Sequence, residues 1–273
     1  MEAKAIEMIR DLAVASAQVT MNTSRPTAVL PSSFQVKDLE EYSANRCRFR
    51  GTFTTTSMKD YADHVSTRKG EGQAQGFVDA ESANNLSCTV FFNIGNEDKP
   101  GHCDDIAILK MKQTAAFNAV SAIVDKHHSQ KALSEWMEDW RNHLRTTMPD
   151  DEELGLSKSI NAIRNITITS NASSDHGVGN MSSARSAMEK IEAKSVETLP
   201  AFVIMKASPY AGLMERDFVL ALSVITGGEK PLVSLRWVQK EAQLEEIAQE
   251  FKKVLSAEVG GSATLLLGSF NPK

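Results

Sequence analysis

Phe202-Val203-Ile204-Met205 opens the stretch that decides the fold, residues 202–270. It is a short apolar run, and Phe218-Val219-Leu220-Ala221-Leu222-Ser223-Val224-Ile225 is a second, apolar on both faces. Thr226-Gly227-Gly228-Glu229-Lys230 follows, and its paired glycines reach the positive φ that a tight hairpin needs. Residues 232–238 return as a strand, with Val233, Leu235 and Trp237 on one face and Ser234 and Arg236 on the other. Leu244, Ile247, Ala248, Phe251, Val254 and Leu255 then recur at helical spacing, with Glu245, Glu246, Glu250, Lys252 and Lys253 mostly opposite. Gly260-Gly261 stops that helix, and Ala263-Thr264-Leu265-Leu266-Leu267 reads as a last buried strand. Strand, hairpin, helix, strand predicts an α+β fold with largely antiparallel sheets and covering helices.

Upstream, Ile6, Ile9, Leu12 and Ala13 form an apolar stripe that predicts a helix over residues 3–18. Loop-like sequence with Pro26 and Pro31 follows to about residue 37, so residues 1–37 read as a helical arm. Such an arm docks either on its own domain or on a neighbouring copy. Residues 46–56 alternate with a period of two and predict a strand, with Arg46, Arg48 and Arg50 on one face and Cys47, Phe49 and Phe53 on the other. Ser57 is placed to cap a short helix over 58–65. Strands are predicted from Gly76, over 86–94 and over 105–111, the last two joined by the glycine-bracketed loop 95–101. Helices are predicted over 114–124 and 131–144, the second carrying Trp136 and Trp140 on its apolar side. Met148-Pro149-Asp150-Asp151-Glu152-Glu153 is an acidic break that divides residues 38–150 from 151–273, unless one domain runs through both. Residues 157–164 read as a short helix, 166–169 as a strand, and 170–186 as Ser/Asn/Gly-rich loop or weak edge strands.

Three groups of residues invite a functional reading. Arg46, Arg48 and Arg50 on one strand face would repel one another unless phosphates or carboxylates meet them. That stripe either contacts nucleic acid or lies as a solvated, ion-paired face. His102-Cys103-Asp104-Asp105 packs metal-ligand and nucleophile types side by side, so His102 and Asp104 are candidate metal ligands. Convergence of His64, His127 or His128 would be required, and otherwise the tetrapeptide is a polar loop entering a strand. Ile6, Ile9 and Leu12 are candidate contacts of an oligomer arm.

The totals narrow the class. With 273 residues and a net charge of −5, the chain can bury a sizeable core and does not coat nucleic acid generally. Three distant cysteines, Cys47, Cys88 and Cys103, without a C-x-x-C, fit free thiols in a reducing compartment. No apolar run reaches membrane-spanning length and no secretion signal opens the chain, so a cytoplasmic protein without a membrane partner is expected. Phosphate-binding, dinucleotide, hydrolase-elbow and zinc-protease motifs are missing, and no cofactor is expected.

Taken in order, Leu30-Pro31, Arg48-Phe49-Arg50-Gly51-Thr52, Phe77-Val78-Asp79, Phe91-Phe92-Asn93, His102-Cys103-Asp104-Asp105, Glu135-Trp136-Met137-Glu138-Asp139 and Pro209-Tyr210 form an ordered pattern, closed by Leu267-Gly268. The chain resembles, on this pattern, the YfdQ-like family of prophage and phage proteins of unknown function. The resemblance implies an accessory protein of a phage, with no catalytic residues to carry over. The leading expectation is a homo-oligomeric, non-enzymatic accessory. A nucleic-acid-binding accessory of recombination or replication is the alternative, and a metal-dependent hydrolytic enzyme the second.

Overall fold

The computed structural model describes residues 2–16, 40–68, 74–81, 83–166, 198–225 and 231–272. The expected hairpin turn 226–230, the arm's loop 20–37, the turn after residue 68 and the segments at 167–169, 170–186 and 188–197 lie outside the described residues. Residues 1–49 form one compact unit and residues 50–273 another.

Among its described residues the first unit contains α1 (Glu2–Ser16) and a 3-10 turn, Glu40–Tyr42. Past that turn, the Glu40 Oε1 carboxylate accepts from the Cys47 backbone N–H at 2.9 Å.

Among the described residues of the second unit, two sheets and five α-helices share one apolar core. The chain passes through β1 (Gly51–Thr55), α2 (Met58–Thr67), β2 (Ala74–Asp79), β3 (Ser87–Phe91), β4 (Asp105–Lys110) and α3 (Ala115–Ile123). It continues through β5 (His127–Ser129), α4 (Gln130–Asp139), β6 (Leu144–Thr147), β7 (Glu153–Leu154) and α5 (Leu156–Arg164). β8 (Phe202–Ala207), β9 (Arg216–Ile225), β10 (Leu232–Trp237), α6 (Lys240–Val259) and β11 (Ala263–Leu267) complete it. The expected α+β class holds, and most strand pairs are antiparallel.

The six-stranded sheet has the order β5-β10-β9-β8-β6-β7 and draws strands from both sides of the acidic break. Val233, Leu235 and Trp237 are buried, as their alternation requires, and they stand opposite Val224, Leu222 and Leu220. The five-stranded sheet has the order β1-β4-β3-β2-β11 and is mixed, because β1 joins β4 and β11 joins β2 in parallel. β11 therefore leaves the C-terminal sheet, where its sequence neighbours lie. Gly76 makes room for it: a Cβ there would stand 2.5 Å from Leu265 Cδ2 and 2.8 Å from Val90 Cγ2.

The helices of the second unit are apolar on one side, and three of them carry a side-chain N-cap. Ser57 Oγ accepts from Asp60 N at the start of α2, and Met58, Tyr61, Ala62 and Val65 turn inward at i, i+3, i+4 and i+7. Thr114 and Ser129 do the same for α3 and α4. α6 buries Ile247, Phe251, Leu255 and Val259, one per turn, and packs against α2. One predicted helix end moves by five residues. The helix expected to reach residue 144 ends at Asp139, and Leu144 opens β6. Trp136 and Trp140 are half-buried against the core, as an amphipathic helix places them.

Candidate functional site

The His102–Asp105 run singled out above lies at one end of the five-stranded sheet, between β3 and β4. β3 ends at Phe91, and the chain turns through Asn93 to Asp104 before β4 begins at Asp105. The turn is closed tightly: Gly101 N donates to Ile94 O at 2.9 Å, and Cys103 N to Asn93 O at 3.3 Å. A Cβ on Gly101 would stand 1.8 Å from Asn93 O, so glycine alone fits that approach. The Asn93 side chain then ties both aspartates, donating to Asp104 Oδ1 at 2.8 Å and accepting from Asp105 N at 3.1 Å.

Asp105 is buried, and Arg68, one residue past α2, closes over it with an ion pair of 2.5 Å. A buried carboxylate needs such a partner, because removal from water penalises the bare charge. The Arg68 guanidinium lies 5.8 Å from the Phe92 ring centroid. One turn earlier on α2, His64 sits between Phe53 (ring centroids 4.3 Å) and Phe92 (5.8 Å, edge-on). Arg68 and Asn93 were not foreseen as part of this cluster, and His64, named only as a ligand that would have to converge on His102, is held between two aromatic rings. The Ser57-capped helix was the available signal, since it places His64 and Arg68 at one helix end.

The tetrapeptide itself has a structural character. Cys103 takes a left-handed φ of 53° between His102 and Asp104. Partial burial, and next the Asp104 charge, push its thiol up and away from thiolate, which is opposite to what a nucleophile needs. Among the described residues, no group of three or more His, Cys, Asp and Glu side chains is arranged to hold a metal ion. His102 is exposed, while His128 lies in the other sheet with Nε2 2.8 Å from Ile123 O.

The arginine stripe is corrected. The strand begins at Gly51 rather than Arg46, so the three side chains do not share a strand face. The reason lies in the partner: Gly51 pairs with Asp105, and the residues before Asp105 turn back onto Asn93 instead of extending the ladder. Arg46 and Arg48 are exposed in the first unit, and Arg50 is half-buried where Gly51 N donates to Asp104 O at 2.8 Å. Arg50 and the His102–Asp104 segment thus reach the same sheet end.

The third candidate group lies on α1, where Ile6, Met8, Ile9 and Leu12 are 66, 67, 66 and 60% exposed. Elsewhere, Glu138, Arg141, Leu156, Ser157, Ile160 and Asn161 line a cleft of about 230 Å³ between α4 and α5. Deep in the core, Tyr61 Oη donates to Cys88 Sγ at 3.3 Å, and burial raises both groups, the Cys88 thiol to about 11. These are packing groups, held neutral. No helix among the described residues is long and apolar enough to cross a membrane.

No curated protein and no solved structure matches the chain. A family profile does, and it runs through α1, the Asn93–Asp105 turn and β11 alike. Its match to residues 2–270 places the chain in the family described as uncharacterized conserved protein DUF2303.

Proposed function

We propose that the protein is a self-assembling accessory protein whose α1 is an arm that packs on a neighbouring copy. One observation carries this reading: Ile6, Met8, Ile9 and Leu12 are each at least 60% exposed on a single amphipathic helix. A helix of 15 residues is marginal in water without a covered apolar face. Each such side chain gains about 1.5–3 kcal/mol on full burial, so covering the stripe outweighs much of the cost of association. The resemblance to phage proteins supports a role beside a phage process rather than a metabolic reaction.

Light scattering on the full chain and on a chain lacking residues 1–18 tests the arm. A lower mass for the shortened chain is expected, and an unchanged mass overturns the reading.

The second reading, binding to nucleic acid, is favoured by the exposure of Arg46 and Arg48. It requires salt-dependent binding that the triple change of Arg46, Arg48 and Arg50 to Ala abolishes. Binding that survives the triple change assigns those arginines to the protein's own ion pairs.

A further inference from the structure

We infer that the edge of the five-stranded sheet formed by β11 is a second self-association surface, independent of α1, where β11 pairs antiparallel with β11 of another copy. Among the described strands, β11 is bonded only to β2, so its other side is a sheet edge. An edge presents a row of backbone donors and acceptors, and proteins that avoid edge pairing guard it with charge, proline or a bulge. Residues 263–270, Ala-Thr-Leu-Leu-Leu-Gly-Ser-Phe, contain no charge and no proline.

The apolar surface at that edge is substantial. Leu266, Leu267 and Phe270 are 47, 61 and 42% exposed. Phe270 stacks on Phe77 at 5.0 Å and meets Phe91 edge-on at 5.6 Å, while Leu266 stands opposite Phe77 in the ladder. The apolar edge therefore continues onto one face of the sheet.

Two features of the strand select a second copy as the occupant. First, an uncharged strand meets its own copy without like-charge repulsion, and it offers nothing to steer a charged peptide. Second, the sequence is complementary to itself about a two-fold axis at Leu265. Antiparallel pairing there sets Leu267 opposite the partner's Ala263 and Leu266 opposite the partner's Thr264, large against small on each face. Every pair is made twice, as an isologous interface requires. The two five-stranded sheets then become one sheet running through both copies.

The test separates this edge from the arm. In the chain lacking residues 1–18, Leu267→Lys is expected to reduce the mass from two protomers to one, with the circular dichroism unchanged. A shortened chain that is already a monomer, or a folded Leu267→Lys chain that keeps its mass, overturns the proposal. A cross-link fixes the register whatever the lysine does to folding. In the full chain with Cys47→Ser and Cys103→Ser, Thr264→Cys and Leu266→Cys are oxidised separately and as a mixture. A disulfide-linked dimer in the mixture alone is expected. A dimer in either variant alone, or in none of the three samples, overturns the proposal.

Discussion

The two sheets end differently. The six-stranded sheet stops at β5, three residues reading His-His-Ser, and at β7, two residues reading Glu-Leu. Both edges are short and polar, which makes them poor templates for another strand. The five-stranded sheet ends at β1, rich in threonine, and at β11, uncharged and leucine-rich. One sheet is finished within its own chain, and the other leaves an apolar side exposed. The comparison teaches that the difference lies in the edge strands, because α6 serves both sheets: it packs against α2 beside the five-stranded one and bonds to strands of the six-stranded one. Its Glu250 binds Arg216 of β9, and its Gln243 donates to Asp217 O at 3.0 Å and accepts from Trp237 Nε1 at 2.6 Å.

Leucines at the two places test the contrast most severely. Leu235→Ala, in the fully buried middle of the six-stranded sheet, is expected to cost about 2–5 kcal/mol in urea unfolding. Leu267→Ala is expected to cost within about 0.5 kcal/mol in the separated protomer, since the side chain is mostly in water. Equal losses would break the comparison.

Ion pairs should sort the same way. Arg216→Ala leaves Glu250 nearly buried and without its partner, a loss of about 3 kcal/mol. Arg145→Ala, whose pair with Asp217 is half-exposed, is expected to cost less than about 1 kcal/mol. Chemical denaturation of both variants measures the difference.

The lower part of an alkaline titration, before the tyrosines of the unfolded chain lose their protons near 10.0, reads Cys88 in β3 of the five-stranded sheet. The unfolded chain releases the Cys88 proton near its ordinary 9.0, while the folded chain holds it to about 11. The folded state therefore binds more protons across that window, and its stability, complete below pH 9, falls as pH rises toward 11. The slope from this one group is about 1.4 kcal/mol per pH unit. Cys88→Ala should flatten the alkaline limb, and an unchanged limb would assign it elsewhere. Ser57→Ala, which removes the α2 cap, is expected to cost about 1 kcal/mol by thermal melting.

The elements of residues 202–270 were legible because β9 is a strand-length apolar run, β10 alternates and α6 turns one apolar residue inward per turn. What the period withholds is the neighbour. Nothing in Ala263-Thr264-Leu265-Leu266-Leu267 says that it pairs with Ala74–Asp79 rather than with β10, because pairing is decided by distant chain and by the space above Gly76. The same blindness lengthened the first strand. Residues 46–56 alternate throughout, yet a ladder reaches only as far as its partner, and β4 starts at Asp105. At the candidate site the His102–Asp105 run was visible as composition. Its organisation by Asn93 and Arg68 depends on contacts across sequence separations that no local pattern encodes.

The parallel pairing of β2 with β11 also sets a timetable for synthesis. Ala74–Asp79 leaves the ribosome with one ladder neighbour, β3, close behind it, while the other waits for residues 263–267. At ~5–20 residues per second that delay is roughly ten to forty seconds. Through it the nascent chain exposes the side of β2 that β11 will cover, with Gly76 unfilled by Leu265. A binder of extended apolar segments in the cell has that interval in which to act, and nascent chains stalled well past Asp79, compared with the released chain, would display its beginning and end.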